Sequence, residues 1–388
     1  MRSNLNGLKL LEKNSGKPQN NFSLLNGYTG ASLFHLEIYL KYSDPSDLNK
    51  SIAFYKMASI NESGKGLFLP FLFGGSVGLL WLEGKLLSLL DKELSESQKK
   101  FIETNYNKKK ENFKKIFSLY LNKEARFELI SGAIGIGVSL SLSDEVEHEL
   151  ILDYFIEQKK EFSTSIGYYL NSLEDTSQIL NDDAKMSNKI NTGISHGISG
   201  ILLYCSYLID HNILKDKAMF VAQFTYKTIA NISNSLGDRS IPSYYPDNLP
   251  PKQNTWCYGD MGIGIAMMKY SLSSNQTDLF KDGEKRFLLG VKSFGEQKRK
   301  DLCLCHGLGS FISLIETYNS FKENRSGDLT HLSKEAVSIL GNNISNSAEF
   351  ITGGLGEILS LISENNSFTN WESLFLLRNP WGDQNEKS

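Results

Sequence analysis

The stretch Gly197-Ile198-Ser199-Gly200-Ile201-Leu202-Leu203-Tyr204-Cys205-Ser206-Tyr207-Leu208-Ile209 decides the fold. It sets two glycines three residues apart in front of a run that is apolar nearly all round, which predicts a helix buried on every side. The same punctuation recurs at Gly27-Tyr28-Thr29-Gly30, Gly75-Ser76-Val77-Gly78, Gly132-Ala133-Ile134-Gly135, Gly259-Asp260-Met261-Gly262, Gly307-Leu308-Gly309-Ser310 and Gly353-Gly354-Leu355-Gly356. Only the sixth copy in chain order departs from it, with Ser310 in place of the second glycine. The first glycines stand 48, 57, 65, 62, 48 and 46 residues apart. A recurrence of this size signals a repeat architecture, here with two helices per repeat.

The two helices of a repeat differ in character. The glycine-led run is apolar, whereas the segment between runs is amphipathic. In Ser97–Leu121, for example, Phe101, Tyr106, Phe113, Ile116, Phe117 and Tyr120 recur at helical spacing while lysines fill the opposite face. Buried helices alternating with half-buried ones imply an inner and an outer ring. Strand signals are few, and no linker-like segment interrupts the repeat. The expectation is an all-α fold, an α/α toroid of seven helical hairpins, forming a single domain over residues 1–388.

Composition narrows the function class. The 388 residues are 40% hydrophobic and carry a net charge of −3, so nothing global points to nucleic acid as a partner. The segment Met1 to Asn21 lacks the apolar core of a signal peptide, and the apolar runs fall short of the roughly 20 residues that span a bilayer. A cytoplasmic protein with reduced thiols is expected, where cysteines serve as metal ligands, catalytic groups or core residues.

The glycines also act as a ruler. If each first glycine marks one height on the ring, residues at equal offsets before it crowd around one mouth. One position before lie His196, Tyr258 and His306; two before lie Ser195, Cys257 and Cys305; four before Gly132 lies Glu128. Cys257, Cys305 and His306 supply three of the four ligands of a Zn²⁺ ion and leave one position open. Cys303 could close that set as a fourth ligand and make the metal structural, although its offset has no counterpart cysteine in the other repeats. Cys205, inside an apolar run, reads as core.

With these residues laid out, the chain resembles the lanthionine synthetase C-like family. The resemblance rests on Ser195-His196-Gly197 ahead of Gly200, on Trp256-Cys257-Tyr258-Gly259 and on Cys305-His306-Gly307, in that order, within seven glycine-marked repeats. It implies zinc held by Cys257, Cys305 and His306, with His196 and Tyr258 beside it. Two positions depart from the family pattern. Glu128 stands where an aspartate is usual, and Gln253 stands four before Cys257 where an arginine is common, so that Arg239 or Lys252 would have to supply the charge.

The activity this resemblance implies is cyclisation: addition of a peptide cysteine thiol to a dehydroalanine or dehydrobutyrine, giving a lanthionine or methyllanthionine ring. His196 would be the acid, Glu128 its orienting carboxylate, and Tyr258 a hydrogen-bond donor to the enolate oxygen. The implied partners are a dehydrated precursor peptide, leader plus core, and a dehydratase and ABC transporter complex through which the protein would associate with a membrane. The alternative is a non-catalytic zinc- and thiol-binding relative, for instance a glutathione binder, or a scaffold in such a complex. Lys99, Lys100, Lys108, Lys109, Lys110, Lys114 and Lys115 form a candidate docking face for an acidic leader, and the insertion Ser233–Lys252 a candidate rim of the mouth.

Overall fold

The computed structural model describes residues 17–66, 68–123, 126–170, 189–247, 250–298, 300–321, 324–362 and 371–380. Six of the glycine-led runs form the first helix of a hairpin. These are α1 (Tyr28–Tyr42) with α2 (Pro45–Ser63), α3 (Ser76–Leu89) with α4 (Glu96–Lys123), and α5 (Ala133–Ser139) with α6 (Glu145–Gln158). They continue with α7 (Ile198–Asp210) and α8 (Lys215–Leu236), α9 (Asp260–Ser273) and α10 (Phe280–Gly295), and α11 (Leu308–Ser320) and α12 (Thr330–Gly341). The seventh run forms α13 (Gly354–Ile362), and a short α14 (Trp371–Leu374) follows residues 363–370, which lie outside the described ones.

The glycine-led helices pack in chain order, α1 on α3, α3 on α5 and so on to α13, and α13 packs back on α1. The ring therefore closes, and the fold is an all-α toroid. Burial divides the helices as the sequence predicts: α7 is buried along almost its whole length, whereas α12 buries only Ser333, Ala336 and Leu340.

The glycine pair has a steric cause. The second glycine of each pair lies against the carbonyl oxygen of the residue six earlier, in the loop that feeds the helix. A Cβ on Gly78 would sit 2.1 Å from the Leu72 oxygen, and one on Gly135 would sit 2.2 Å from the Leu129 oxygen and 2.9 Å from the Leu72 Cβ of the preceding repeat. Only a residue without a side chain lets loop, helix and neighbouring repeat meet this closely.

That contact holds the loops in register, and their main chains bond to one another around the mouth. Leu25 N donates to Phe73 O at 3.0 Å, Phe73 N to Ile130 O at 3.2 Å and Leu129 N to Ser195 O at 3.1 Å. Ser195 Oγ donates to Cys257 O at 3.3 Å. Cys257 N donates to Cys305 O at 3.2 Å, Cys305 N to Ile351 O at 3.2 Å and Phe350 N to Leu25 O at 2.8 Å, which completes the circuit. Most members of this belt stand two residues before a first glycine.

The segment from Trp371 to Leu377 fills the middle of the ring, which the repeat pattern does not foretell. The Phe375 ring packs against Phe73, Trp256, Phe350 and Trp371 with centroids 4.6–6.0 Å apart. Its carbonyl accepts the Trp256 indole N–H at 2.9 Å, and the Leu376 carbonyl accepts the Tyr207 hydroxyl at 3.0 Å. Two short antiparallel strand pairs accompany the helices: β1 (Lys160–Ser163) with β2 (Gly167–Tyr169), and β3 (Ile190–Asn191) with β4 (Tyr244–Tyr245). The second pair brings the Ser233–Lys252 insertion to the loop that carries His196.

Gly135→Ala is expected to lower unfolding stability by about 1–3 kcal/mol through overpacking, read as an earlier midpoint in denaturant. Gly341→Ala, where an added Cβ meets nothing within 4 Å, should stay within about 0.5 kcal/mol.

Candidate functional site

The loops before α1, α5, α7, α9, α11 and α13 line a cavity of about 620 Å³ at the mouth of the ring. Its wall includes Leu25, Ile130, Ser195, Cys257, Cys305 and Ile351, each two residues before a first glycine. One side is therefore aliphatic, from the seventh, first and third repeats. The opposite side, from the fourth to sixth repeats, carries the reactive groups.

Cys257, Cys305 and His306 come together there, with their ligand atoms all within 4.8 Å of one another. Two thiolates on one tetrahedral ion stand roughly 3.8 Å apart, from bonds of about 2.3 Å, so a small inward shift would let this set hold a metal ion. The His306 Nε2 lies 3.3 Å from Asp301 Oδ2, which leaves Nδ1 as the ring nitrogen for the metal. Cys303 is buried and does not belong to the converging set. Three protein ligands with a fourth position facing a cavity is the pattern of a reactive rather than a structural site.

The charges in this cluster suit a cation. A hydrogen bond from the Cys305 thiol, with further help from His306, pulls the Cys257 thiol down to about 6 despite its burial. The Cys257 and Cys303 sulfurs push the His306 imidazole up to about 10. The same hydrogen bond to Cys257, with burial, pushes the Cys305 thiol well up, so the cluster favours one thiolate at Cys257, and a bound metal ion would have to displace the Cys305 proton.

His196 lines the same cavity from the fourth repeat, and Glu128, from the third, stands buried behind it. His196 Nδ1 bonds Glu128 Oε2 at 2.8 Å; the histidine side chain is 41% exposed and the glutamate side chain 3%. Oε2 also accepts Ile130 N at 2.8 Å, and Oε1 accepts Ser131 N at 2.7 Å and Ser131 Oγ at 2.6 Å. Burial alone would raise the Glu128 carboxyl, but His196 and these donors hold it below the ordinary carboxylate range. Burial alone would lower His196, yet the hydrogen bond and charge of Glu128 outweigh it and raise the imidazole. With Nδ1 taken, Nε2 is the nitrogen left to exchange a proton with the cavity.

Tyr258 also lines the cavity, but its hydroxyl is engaged: Asn191 Nδ2 donates to it at 3.3 Å and the Tyr244 hydroxyl lies 3.3 Å away. Burial pushes the phenol well up, so it stays protonated. Both departures from the family pattern sit at this mouth. Gln253 lines the cavity and donates to Asp301 Oδ2 at 3.3 Å, and Lys252 beside it also lines the wall. Arg239 is absent from the wall; its carbonyl accepts from the buried Arg286.

The lysine face is largely spent within the chain. Lys109 bonds the buried Glu83 at 2.9 Å, Lys110 pairs with Asp144 at 3.1 Å, Lys114 with Glu147 at 3.7 Å, Lys115 with Glu111 at 2.9 Å, and Lys99 with Asp91. Five of the seven lysines thus have acidic partners on the protein; the pairs of Lys109 and Lys110 are the more buried, whereas Lys99, Lys114 and Lys115 remain partly or largely exposed.

Sequence reasoning passed over Asp301 and Asn191, and it placed Tyr244 only within the Ser233–Lys252 rim, not as a partner of Tyr258. A signal for the first two was present, because both stand six residues before a first glycine. At the same offset, Asn21 and Ser347, like Asn191, accept the main-chain N–H two residues on. The contact of Tyr244 with Tyr258 had no such register, since it arises through strand pairing.

A family model described as "Lanthionine synthetase C-like protein" matches residues 18–373. Among solved structures, "Nisin cyclase" superposes with a TM-score of 0.71, covering 97% of this chain and 98% of that chain at 17% identity. At that identity the likeness is one of fold. No curated protein sequence is significantly similar to the chain. Match and motifs together span nearly the whole chain, which belongs to the lanthionine synthetase C-like family.

Proposed function

We propose that the chain is a zinc-dependent lanthipeptide cyclase, which closes thioether rings in a dehydrated precursor peptide in the cytoplasm. The observation that carries this reading is the presence in one cavity of a three-residue cysteine–histidine cluster that could hold a metal ion and of a separate histidine backed by a buried glutamate. The two functions the reaction needs, a thiolate and a proton donor, are thereby assigned to different groups.

Zinc, when bound, keeps a substrate thiol deprotonated at neutral pH, where a free thiol of pKa about 8.5 is mostly protonated. Cys257 and Cys305, with His306, would hold the ion, and their two sulfurs would offset its charge so that the substrate sulfur keeps its nucleophilicity. The addition balances without a redox partner. The sulfur bonds the alkene β-carbon, the π pair moves toward the carbonyl as an enolate, and the α-carbon takes one proton. His196 Nε2 takes up the proton released by the thiol and delivers it to the α-carbon, with Glu128 fixing the ring and supporting its charged form. Lys252 provides positive charge on the cavity wall for the enolate, in place of the arginine that Gln253 replaces. Tyr258 ties the insertion to the mouth through Tyr244.

Purified protein is expected to carry about one zinc per chain. Cys257→Ala and His306→Ala should lose the metal and leave a dehydrated peptide with all its thiols open to alkylation, as read by mass. Metal-free protein that still cyclises would refute the proposal. Protein that binds zinc and thiols yet leaves the dehydrated peptide unaltered would favour the thiol-binding alternative.

The His196–Glu128 pair gives a prediction with a sign. Its His196 contribution to stability is complete below the unfolded value of about 6.5 and is lost as pH rises through the raised folded value. The Glu128 contribution is present above about 4.3 and is lost as pH falls through the depressed one. Glu128→Gln removes the charge that raises His196. Its NMR titration should move to lower pH, and the alkaline fall of kcat/KM should move with it; a limb that stays in place would detach that fall from His196. Lys252→Met should lower kcat by on the order of a hundredfold without changing zinc content.

A further inference from the structure

The sixth repeat breaks the glycine rule at Ser310, and the structure gives that serine an occupation. In the other six repeats this position is the glycine that rests against the carbonyl six residues back. Ser310 instead carries a side chain, is buried, and its Oγ accepts the main-chain N–H of Trp256 at 3.0 Å. Trp256 belongs to the preceding repeat and immediately precedes the ligand Cys257.

Two more donors of this segment are tied down nearby. The Cys257 N–H donates to Cys305 O at 3.2 Å, and the Trp256 indole N–H to Phe375 O at 2.9 Å. The main chain at the first metal ligand is therefore bonded twice to the repeat that carries the other two. One of those bonds belongs to the belt around the mouth. The other is made by the side chain that replaces a glycine.

We propose that Ser310 is a positioning residue of the metal centre. Its hydroxyl clamps the Trp256–Cys257 backbone to the sixth repeat, so that Cys257 keeps the separation from Cys305 and His306 that one ion requires. The ligands sit on different repeats, and only contacts between repeats can set that separation. Without the hydroxyl, the buried Trp256 N–H has no acceptor, and a segment in that condition moves to find one. Loss of such a supporting partner typically weakens metal binding by about 10–100-fold. The proposal rests on the zinc reading only in naming the ion.

The test compares Ser310→Ala with Ser313→Ala, whose hydroxyl is buried on the same helix but donates to the Gly309 carbonyl at 3.2 Å. Three quantities are read: zinc affinity by chelator competition, the thermal midpoint of metal-free protein, and the iodoacetamide alkylation rate of Cys257 in metal-free protein. Ser310→Ala should weaken zinc binding at least tenfold and speed Cys257 alkylation. Ser313→Ala should lower the midpoint alone. Ser310→Gly restores the residue of the other repeats and is read in the same way should the alanine variant not fold. Zinc affinity and alkylation both equal to those of the unmodified chain would overturn the clamp. If the unmodified chain binds no zinc, the functional reading fails, and the alkylation rate alone decides the clamp.

Discussion

The structure depends on a closed belt of hydrogen bonds between repeats, running through residues two or three positions before the first glycines. A toroid of hairpins has no single sheet or bundle axis to fix its geometry, and each repeat touches mainly its two neighbours. The belt turns those neighbour contacts into a circuit. From Leu25 to Phe73 to Ile130, and from Cys257 to Cys305 to Ile351, each rung is a main-chain bond at 3.0–3.2 Å. Such a bond depends on backbone position rather than on side-chain identity. Leucine, phenylalanine, serine, cysteine and isoleucine therefore occupy equivalent places in the belt, and the chemistry of the mouth can vary while its shape is held.

The belt is least regular at the His196–Glu128 pair. Ile130 N, which by register would reach the next repeat, turns to the Glu128 carboxylate, and Leu129 N takes over the bond to Ser195. On the other side of His196, the rung from Ser195 to Cys257 is made by a side chain. A buried carboxylate needs donors if it is to stay charged, and at this corner it draws them from the ring's own backbone. The metal side is different: the rungs from Cys257 to Cys305 and from Cys305 to Ile351 are main-chain bonds. Two departures from the regular belt thus flank His196, a third lies at Phe350, whose N–H takes the place of that of Ile351, and Cys257 and Cys305 are joined by a regular rung.

What the sequence revealed and what it concealed follow the same division. The ring, the two classes of helix and the convergence of Cys257, Cys305, His306, His196 and Glu128 were legible because they follow a register counted along the chain. Contacts with no register were not. The Phe375 carbonyl meets the Trp256 indole across 119 positions, and Tyr244 reaches Tyr258 through a two-residue strand pair. The pairing of the lysine run was hidden for a related reason. Helical periodicity shows which residues share a face, but not that Glu83, Asp144 and Glu147, on the inner helix and the next hairpin, stand opposite Lys109, Lys110 and Lys114.

The two departures from the family pattern acquire physical sense in this setting. Glu128 is one methylene longer than aspartate, and the extra reach is absorbed locally: the carboxylate folds back onto the N–H groups of Ile130 and Ser131 while Oε2 still meets His196 at 2.8 Å. The loop's own backbone fixes the side chain, so added length does not become added freedom. Gln253 lacks a charge, but its amide donates to the Asp301 carboxylate, which in turn faces His306 Nε2. A carboxylate behind a ligating histidine orients the ring and strengthens it as a ligand. An arginine at that position would compete for the same carboxylate with a full positive charge. The neutral amide supports Asp301 and leaves its charge to His306, while Lys252, one residue earlier, keeps a cation on the wall of the cavity.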